Sequence, residues 1–375
     1  MSFNTSHLLI LLLLVTFPLP SMAESDEKAK YRIAIVSSYH AEYIWSQQTN
    51  EGVVKALRDF GYLDNAEQGE TYSKNYAVES NRAVVKKWWM DTKRKNSRPE
   101  IAATLAHVTS DIARFSPDII LLGDDNAANY MGNHYLDSET PVVFWGVNGL
   151  PLKYGLLDSV ENPGHNITGI YQAGYYFDSV RSLKKLFPSI QTIAVLSDDS
   201  PTGRSHAKKI KRYADEGRLE VHIVKVVITN SFSHWKREAL ALQKLVDAFY
   251  ISTHHTLKDD QGRHVSNLDV AAWYLENIRK PEIAPSSFIV KEGLLSTVDD
   301  SAFKQGYEAV KVAHLILSGV KKAGEIASYA PERGAFIVNR WRARMLGVEE
   351  IIEQHSDLID QVIDESAAWK HRETE

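Results

Sequence analysis

The hydrophobic and polar positions alternate between two rhythms along most of the chain. Short, almost wholly apolar runs rich in β-branched residues stand at 31–36 (Tyr-Arg-Ile-Ala-Ile-Val), 119–122 (Ile-Ile-Leu-Leu) and 141–145 (Pro-Val-Val-Phe-Trp). Between them lie stretches of helical period: one from about 45 to 60, with Val53, Val54 and Leu57 on one face and Gly61 as its stop, and one over 101–115. Buried runs separated by amphipathic helices predict parallel strands with helices packed on both faces.

The same rhythm begins again further on. Strands are predicted at 190–196, 219–227 and 248–251, with helices at about 204–216 and 232–245. Strand, polar loop and helix thus recur in two halves of similar size without visible identity between them. The predicted fold class is α/β: two doubly wound, Rossmann-like lobes joined by a hinge. The Gly/Pro/Asn-rich stretches at 146–151 and 162–169 mark the expected first crossing between lobes. The expected division is residues 1–23 as a signal peptide, 24–145 plus about 296–320 as one lobe, and 146–295 plus about 321–375 as the other. Open α/β sheets facing each other turn the carboxyl ends of their strands toward one cleft, where such sheets bind ligands.

The amino terminus changes the picture of compartment. Residues 8–17 are almost unbroken apolar, Pro18-Leu-Pro20 breaks any helix, and Ser21-Met22-Ala23 supplies small residues where a signal peptidase reads. The run falls short of the roughly 20 residues a bilayer span needs. The segment before it carries no Lys or Arg, only His7. Cleavage after Ala23 is expected, and an uncleaved anchor is the less favoured alternative. The chain has no cysteine, which excludes disulfides, thiolate metal sites, cysteine nucleophiles and a lipid-modified amino-terminal cysteine. A free periplasmic protein is the expectation, with no membrane insertion of the mature chain. Its composition is that of an ordinary globular protein, 44% hydrophobic and 24% charged, and its net charge of −5 argues against a nucleic-acid partner.

Several segments carry a family resemblance. Pro117-Asp-Ile-Ile-Leu-Leu-Gly123, Pro141-Val-Val-Phe144 and above all Asn162-Pro-Gly-His-Asn-Ile-Thr-Gly-Ile170 resemble the ABC-transporter substrate-binding family, whose described ligands include aromatic amino acids. Three later stretches resemble corresponding family segments: Thr192-Ile-Ala-Val-Leu196, Asp247-Ala-Phe-Tyr-Ile251 and Gly306-Tyr-Glu-Ala-Val310. The likeness runs from about residue 31 to about 350. It implies a type I periplasmic-binding-protein fold that closes on ligand, with binding residues in loops after the strands. On this chain those loops are 37–43, Asp124-Asp125-Asn126, 146–148, 198–202, 252–256 and 291–300. Two features depart from the family pattern. Asp124-Asp125 stands where members usually have small neutral residues, and the segment 67–97 is longer and more charged, with Trp88-Trp89 inside it.

The candidate ligand-binding residues are Ser37, Ser38, His40, Tyr43, Asp124, Asp125, Asn126, Asn148, Asp198, Ser200, Thr253, His254 and Asp299. Asp124 or Asp125 is a candidate for a ligand ammonium, the other being expected to cap the helix that follows. Ser37, Ser38 and His40 suit an anionic group at a helix start. Tyr43 and Trp45 offer faces for a planar ligand, although core packing is the commoner use of such aromatics. His254-His255 is not read as a metal site, because adjacent side chains of an extended segment point to opposite faces. No P-loop, nucleophile elbow or His-Glu-x-x-His motif is present, so no cofactor is expected, and an exported enzyme using Asp124 or Asp125 is the least favoured alternative. The expected role is capture of a small polar, amino-acid-like or amine-containing molecule. The expected partner is a membrane ABC permease or, alternatively, a transmembrane sensor protein such as a histidine kinase or diguanylate cyclase.

Overall fold

The computed structural model describes Met1 and residues 30–374. The expected signal segment and its cleavage point lie, Met1 apart, outside the described residues.

The first sheet contains β1 (Tyr31–Ser37), β2 (Ala77–Glu79), β3 (Ala83–Trp89), β4 (Ile119–Gly123), β5 (Val142–Asn148) and β6 (Ile167–Gln172), in the order β2-β3-β1-β4-β5-β6. All pairs are parallel except β2 with β3. The second contains β7 (Thr192–Ser197), β8 (His222–Ile228), β9 (Ala248–Thr253), β10 (Glu282–Ile283), β11 (Ser296–Val298), β12 (Phe336–Asn339) and β13 (Gln361–Ile363), in the order β13-β12-β11-β10-β9-β7-β8. Here only β11 and β12 run antiparallel. The two doubly wound lobes read from the apolar runs are therefore present. Central strands such as β4 and β5 are buried throughout, as parallel strands covered on both faces must be.

The lobe boundaries differ from the sequence reading. β5 and β6 both stay in the first sheet, so the chain first crosses after Gln172 rather than within 146–169. The Gly/Pro/Asn stretch instead forms the long β5–β6 connection: glycine and proline mark where a chain turns, not which sheet it enters next. β11 lies in the second sheet, and the chain then returns to the first lobe as the helix Ala302–Leu317. That helix packs on Ile44–Asp59 at two glycines. A Cβ on Gly52 would stand 2.0 Å from the Phe303 carbonyl oxygen, and one on Gly306 would stand 2.2 Å from that of Thr49. Tyr329 bridges to Ile170 of β6, so the third crossing follows it and leads into β12. The segment 67–97 forms a helix (Ala66–Asn75) and the β2–β3 edge, and β3 lies directly against β1.

Candidate ligand-binding cleft

The carboxyl ends of β1, β4 and β5 face those of β7 and β9, and the two lobes touch across the gap. Ser38, just past β1, organises the first wall. Its hydroxyl donates to the Gly123 carbonyl (2.6 Å) and accepts from the Ala127 amide (2.8 Å), tying the β1 loop to the turn after β4. Asp124 begins that turn in the left-handed region at φ +70°, an uncommon setting for a non-glycine residue. Its Oδ1 accepts from Trp45 Nε1 at 2.7 Å. Gly146 lies opposite at φ +68°, and a Cβ there would come within 2.5 Å of the same oxygen. Burial is the largest influence on Asp124 and pushes its pKa to about 8, so the group is a carboxylic acid at neutral pH. Asp125 is differently placed. It accepts from Lys153 Nζ (2.8 Å), the Tyr154 hydroxyl (2.7 Å) and Asn148 Nδ2 (2.5 Å).

The chain after β3 is pinned to the same wall. The Met90 amide donates to the Ser37 carbonyl (2.9 Å), and the Thr92 amide and hydroxyl both donate to that of Ser38 (2.8 Å each). This carries Lys93 into the cleft, where its ammonium lies 4.5 Å from the centre of the Tyr39 ring and 5.4 Å from that of Tyr43. Burial lowers its pKa.

The second wall is built around Asp198, fully buried at the end of β7. Its carboxylate accepts from the Ser200 hydroxyl (2.6 Å), the His255 amide (2.8 Å), the Thr256 amide (3.0 Å) and the Thr253 hydroxyl (3.3 Å). Burial alone would raise its pKa, but the Lys93 charge and the Ser200 hydroxyl outweigh it and hold the group below its ordinary range. Ser200 in turn caps the helix Pro201–Asp215 through the Gly203 amide. From that helix His206 reaches across to Asn148. Because the Asn148 amide nitrogen donates to Asp125, its Oδ1 accepts from His206 Nε2, at 2.5 Å. Burial takes the His206 pKa down to about 3, keeping the ring neutral.

His254 and His255 lie beyond the end of β9, and both rings turn to Glu292. Their Nε2 atoms are 2.9 and 3.1 Å from its two oxygens. The expectation that neighbouring histidines diverge fails here because the segment is no longer an extended strand. Donor atoms of the three residues lie within 4.8 Å of one another, a set that could hold a divalent cation. Burial brings His255 down to about 4, so the neutral ring donates Nε2–H to Glu292 and accepts at Nδ1 from the Tyr43 hydroxyl of the other lobe, 2.7 Å away. Tyr39 and Thr202 add a weaker interlobe contact at 3.3 Å.

Between these walls is a cavity of about 330 Å³, counted to its open edge. Tyr39, Tyr43, Trp45, Lys93, Asp124 and Asn148 line it from the first lobe. Thr202, His206, Ser252, Thr253 and Phe288 are among those lining it from the second.

The family model described as ABC transporter substrate-binding protein matches residues 46–362. The chain belongs to this family. Among its relatives is a tyrosine-binding protein of Clostridioides difficile, 22% identical over 329 residues, covering 88% of this chain and 84% of that protein. Two solved structures share the fold. One is a conserved domain protein of Vibrio cholerae (TM-score 0.68, 15% identity), the other an ABC domain from Streptococcus pneumoniae in complex with L-Trp (TM-score 0.64, 17% identity). Each match covers 89% of this chain and 100% of the other.

Of the candidates read from sequence in this family member, Tyr43, Asp124, Asn148 and Thr253 line the cavity. Asp125, Asn126 and Ser200 line its polar outer mouth, where Asn126 Nδ2 donates to the Thr92 hydroxyl at 2.8 Å. The remaining six do not line it. Ser37 and Ser38 are buried beneath the wall, and His40 pairs with Asp91 at 3.3 Å. Asp198 and His254 belong to the networks behind the second wall. Asp299 sits at a hinge crossing and accepts from the Ser287 amide at 2.7 Å. The expected helix cap on Asp124 or Asp125 is absent, since the hydroxyl of Ser38 serves that turn.

Sequence reasoning missed Tyr39, Lys93, His206 and Phe288. Tyr39 was inside a nominated loop. Lys93 was in the segment noted only for departing from the family, and His206 and Phe288 lie on helices with no local mark of ligand contact.

Proposed function

We propose that this chain is a periplasmic receptor that captures one small, amino-acid-like ligand between its lobes and presents it to an ABC permease, without chemical change. The observation that carries the reading is the interlobe cavity, with aromatic rings on both walls and Asp124 and Lys93 on the first. Family membership and the tyrosine-binding relative support the ligand class, and the run at 8–23 supports export. Closure follows from the contacts that span the cleft: Tyr43 with His255, and Asn148 with His206. Each net hydrogen bond stabilises by about 1 kcal/mol, enough for ligand contacts to tip the balance between open and closed lobes.

The test is native mass spectrometry of the protein purified from a periplasm, together with thermal shift against amino acids, amines and nucleosides. A ligand present at about 1,000 times its dissociation constant adds roughly 4 kcal/mol to stability. A copurified molecule at one per chain or a shift of several degrees is expected. A folded protein that carries and retains nothing across the panel would defeat the reading. Stimulation of permease ATPase activity by the liganded receptor checks the delivery step.

A further inference from the structure

Three buried side chains behind the second wall keep coordinating capacity that the protein does not use. His254 and Glu292 are 1% and 0% exposed. Among the described residues, neither ring nitrogen of His254 has a hydrogen-bond partner, and neither does Glu292 Oε2. His254 Nε2 and that oxygen stand 2.9 Å apart, yet the two atoms are not aligned for a hydrogen bond. Buried ring nitrogens and carboxylate oxygens are normally filled, so this pair calls for an explanation. His255 Nε2 completes the group, 3.1 Å from Glu292 Oε1.

The spacing is that of ligands around one ion. Nitrogen and oxygen donors roughly 2.0–2.2 Å from a common metal stand roughly 3–3.5 Å from each other. The two contacts to Glu292 are close to that separation, and donor atoms of all three residues lie within 4.8 Å of one another. The surroundings also supply the partners that orient metal ligands. Asn267 Nδ2 donates to Glu292 Oε1 at 2.6 Å and holds the carboxylate in place. With an ion on Nε2, the His255 proton moves to Nδ1, where the hydroxyl oxygens of Tyr43 (2.7 Å) and Thr253 (3.0 Å) can accept it. The Tyr43 ring, centred 5.2 Å from that of His255, belongs to the other lobe, so an opening cleft uncovers the site.

We propose that His254, His255 and Glu292 form a site for one divalent cation of the zinc class. Two imidazole nitrogens and one carboxylate favour zinc and similar ions over magnesium or calcium, which prefer oxygen donors. Three protein ligands leave the remaining position to water, as in other sites built from two histidines and a carboxylate. The site is separate from capture of the organic ligand, because His254, His255 and Glu292 do not line the cavity. The ion ties the loop after β9 to the end of the helix Ser287–Glu292, and so fixes the His255 ring that Tyr43 meets across the gap.

The experiment uses untagged protein purified from a periplasm and stripped with a chelator. Native mass spectrometry and titration calorimetry with zinc chloride, and with magnesium chloride as the control, are run on the wild type and three variants. These are Glu292→Gln, His254→Asn and His234→Ala, the last removing an exposed histidine 3.3 Å from Glu238. The wild type is expected to take one zinc per chain and no magnesium. At about 100 times its dissociation constant, zinc should raise the melting temperature by roughly 5–10 °C. Glu292→Gln and His254→Asn should each weaken zinc binding at least about 100-fold, since losing a ligand costs more than losing an outer partner. His234→Ala should bind as the wild type does. Zinc-edge X-ray absorption of the wild type reads the ligands without any variant, and two imidazoles are expected. A wild type that takes no zinc at excess metal, a spectrum with fewer than two imidazoles, binding that survives both cluster variants, or loss of binding in His234→Ala would each overturn the proposal.

Discussion

The two walls of the cleft use similar residue types in opposite ways. On the second wall the two buried anions are answered by neutral donors of their own lobe, while Ser252 Oγ and the Nδ1 atoms of His206 and His254 find no hydrogen-bond partner among the described residues. Asp198 is surrounded by donors, and Glu292 is bracketed by two imidazoles with Asn267 Nδ2 donating to it at 2.6 Å. On the first wall, among the described residues, the Lys93 ammonium makes no hydrogen bond and is balanced through space by Asp198, and the second oxygen of Asp124 accepts no hydrogen bond. Anions filled by their own lobe's donors give a stiff surface to close against, whereas the unfilled donors and acceptors of either wall leave capacity for recognition. The difference teaches that burial and charge alone do not nominate a ligand residue; what counts is whether the protein has already filled its hydrogen-bonding capacity.

That contrast breaks most sharply at Asp198. Asp198→Ala leaves the His255 and Thr256 amides and two hydroxyls without their acceptor, and is expected to destabilise by roughly 3 kcal/mol or more. Chemical denaturation should show the loss with no ligand present. An unchanged midpoint would mean that the second wall is not held by its own network.

Asp124 sharpens the comparison through pH. Its folded pKa, about 8, lies above the ordinary value of 3.8, so the folded state holds the proton over an interval in which the unfolded chain has released it. Stability from this group is therefore fully present below pH 4 and is lost as pH rises toward 8. Relative to the wild type, Asp124→Asn should gain roughly 3 kcal/mol between pH 5 and 7, at about 1.4 kcal/mol per unit. Parallel curves for the two proteins across that window would show that the acid is not held neutral. The same variant keeps the acceptor for Trp45, so its affinity for a zwitterion isolates the role of the second oxygen, with a loss of about tenfold, or 1.4 kcal/mol, expected.

Smaller effects follow at the contacts between the walls. Tyr43→Phe removes the hydroxyl that bridges to His255, and should weaken closure by about 1 kcal/mol, seen in solution scattering as a larger mean radius. Thr202→Val loses two longer interlobe contacts, to Tyr39 at 3.3 Å and from Asn148 Nδ2 at 3.4 Å, and a change of about 0.5 kcal/mol is expected. If Thr202→Val opened the lobes more than Tyr43→Phe, the latch would have been assigned to the wrong pair.

Much of the fold was legible because its signals are local. The apolar runs at 31–36 and 119–122 become β1 and β4, and the helical period at about 45–60 becomes the helix Ile44–Asp59. The site was less legible. Its loops could be named because parallel strands end at the cleft, which brought in Tyr43, Asp124, Asn148 and Thr253. Within a loop, however, no local pattern separates a residue that faces the cavity from one that supports it. Ser38 and Asp198 have the residue types of ligand contacts and act as scaffold.

Sequence by itself determined the alternation of strands and helices, the two-lobed α/β class and the family, since these follow from side-chain periodicity and from short segments in a fixed order. Tertiary structure alone decided the rest. It kept β5 and β6 in the first sheet, turned the adjacent His254 and His255 onto one carboxylate, satisfied Asp125 and Asp198, and set the Lys93 ammonium at the cavity beside Tyr39 and Tyr43. Each of those outcomes depends on groups tens to hundreds of residues apart, as between Tyr43 and His255. Whether a buried polar atom is filled is a property of all its neighbours at once, which no stretch of chain contains.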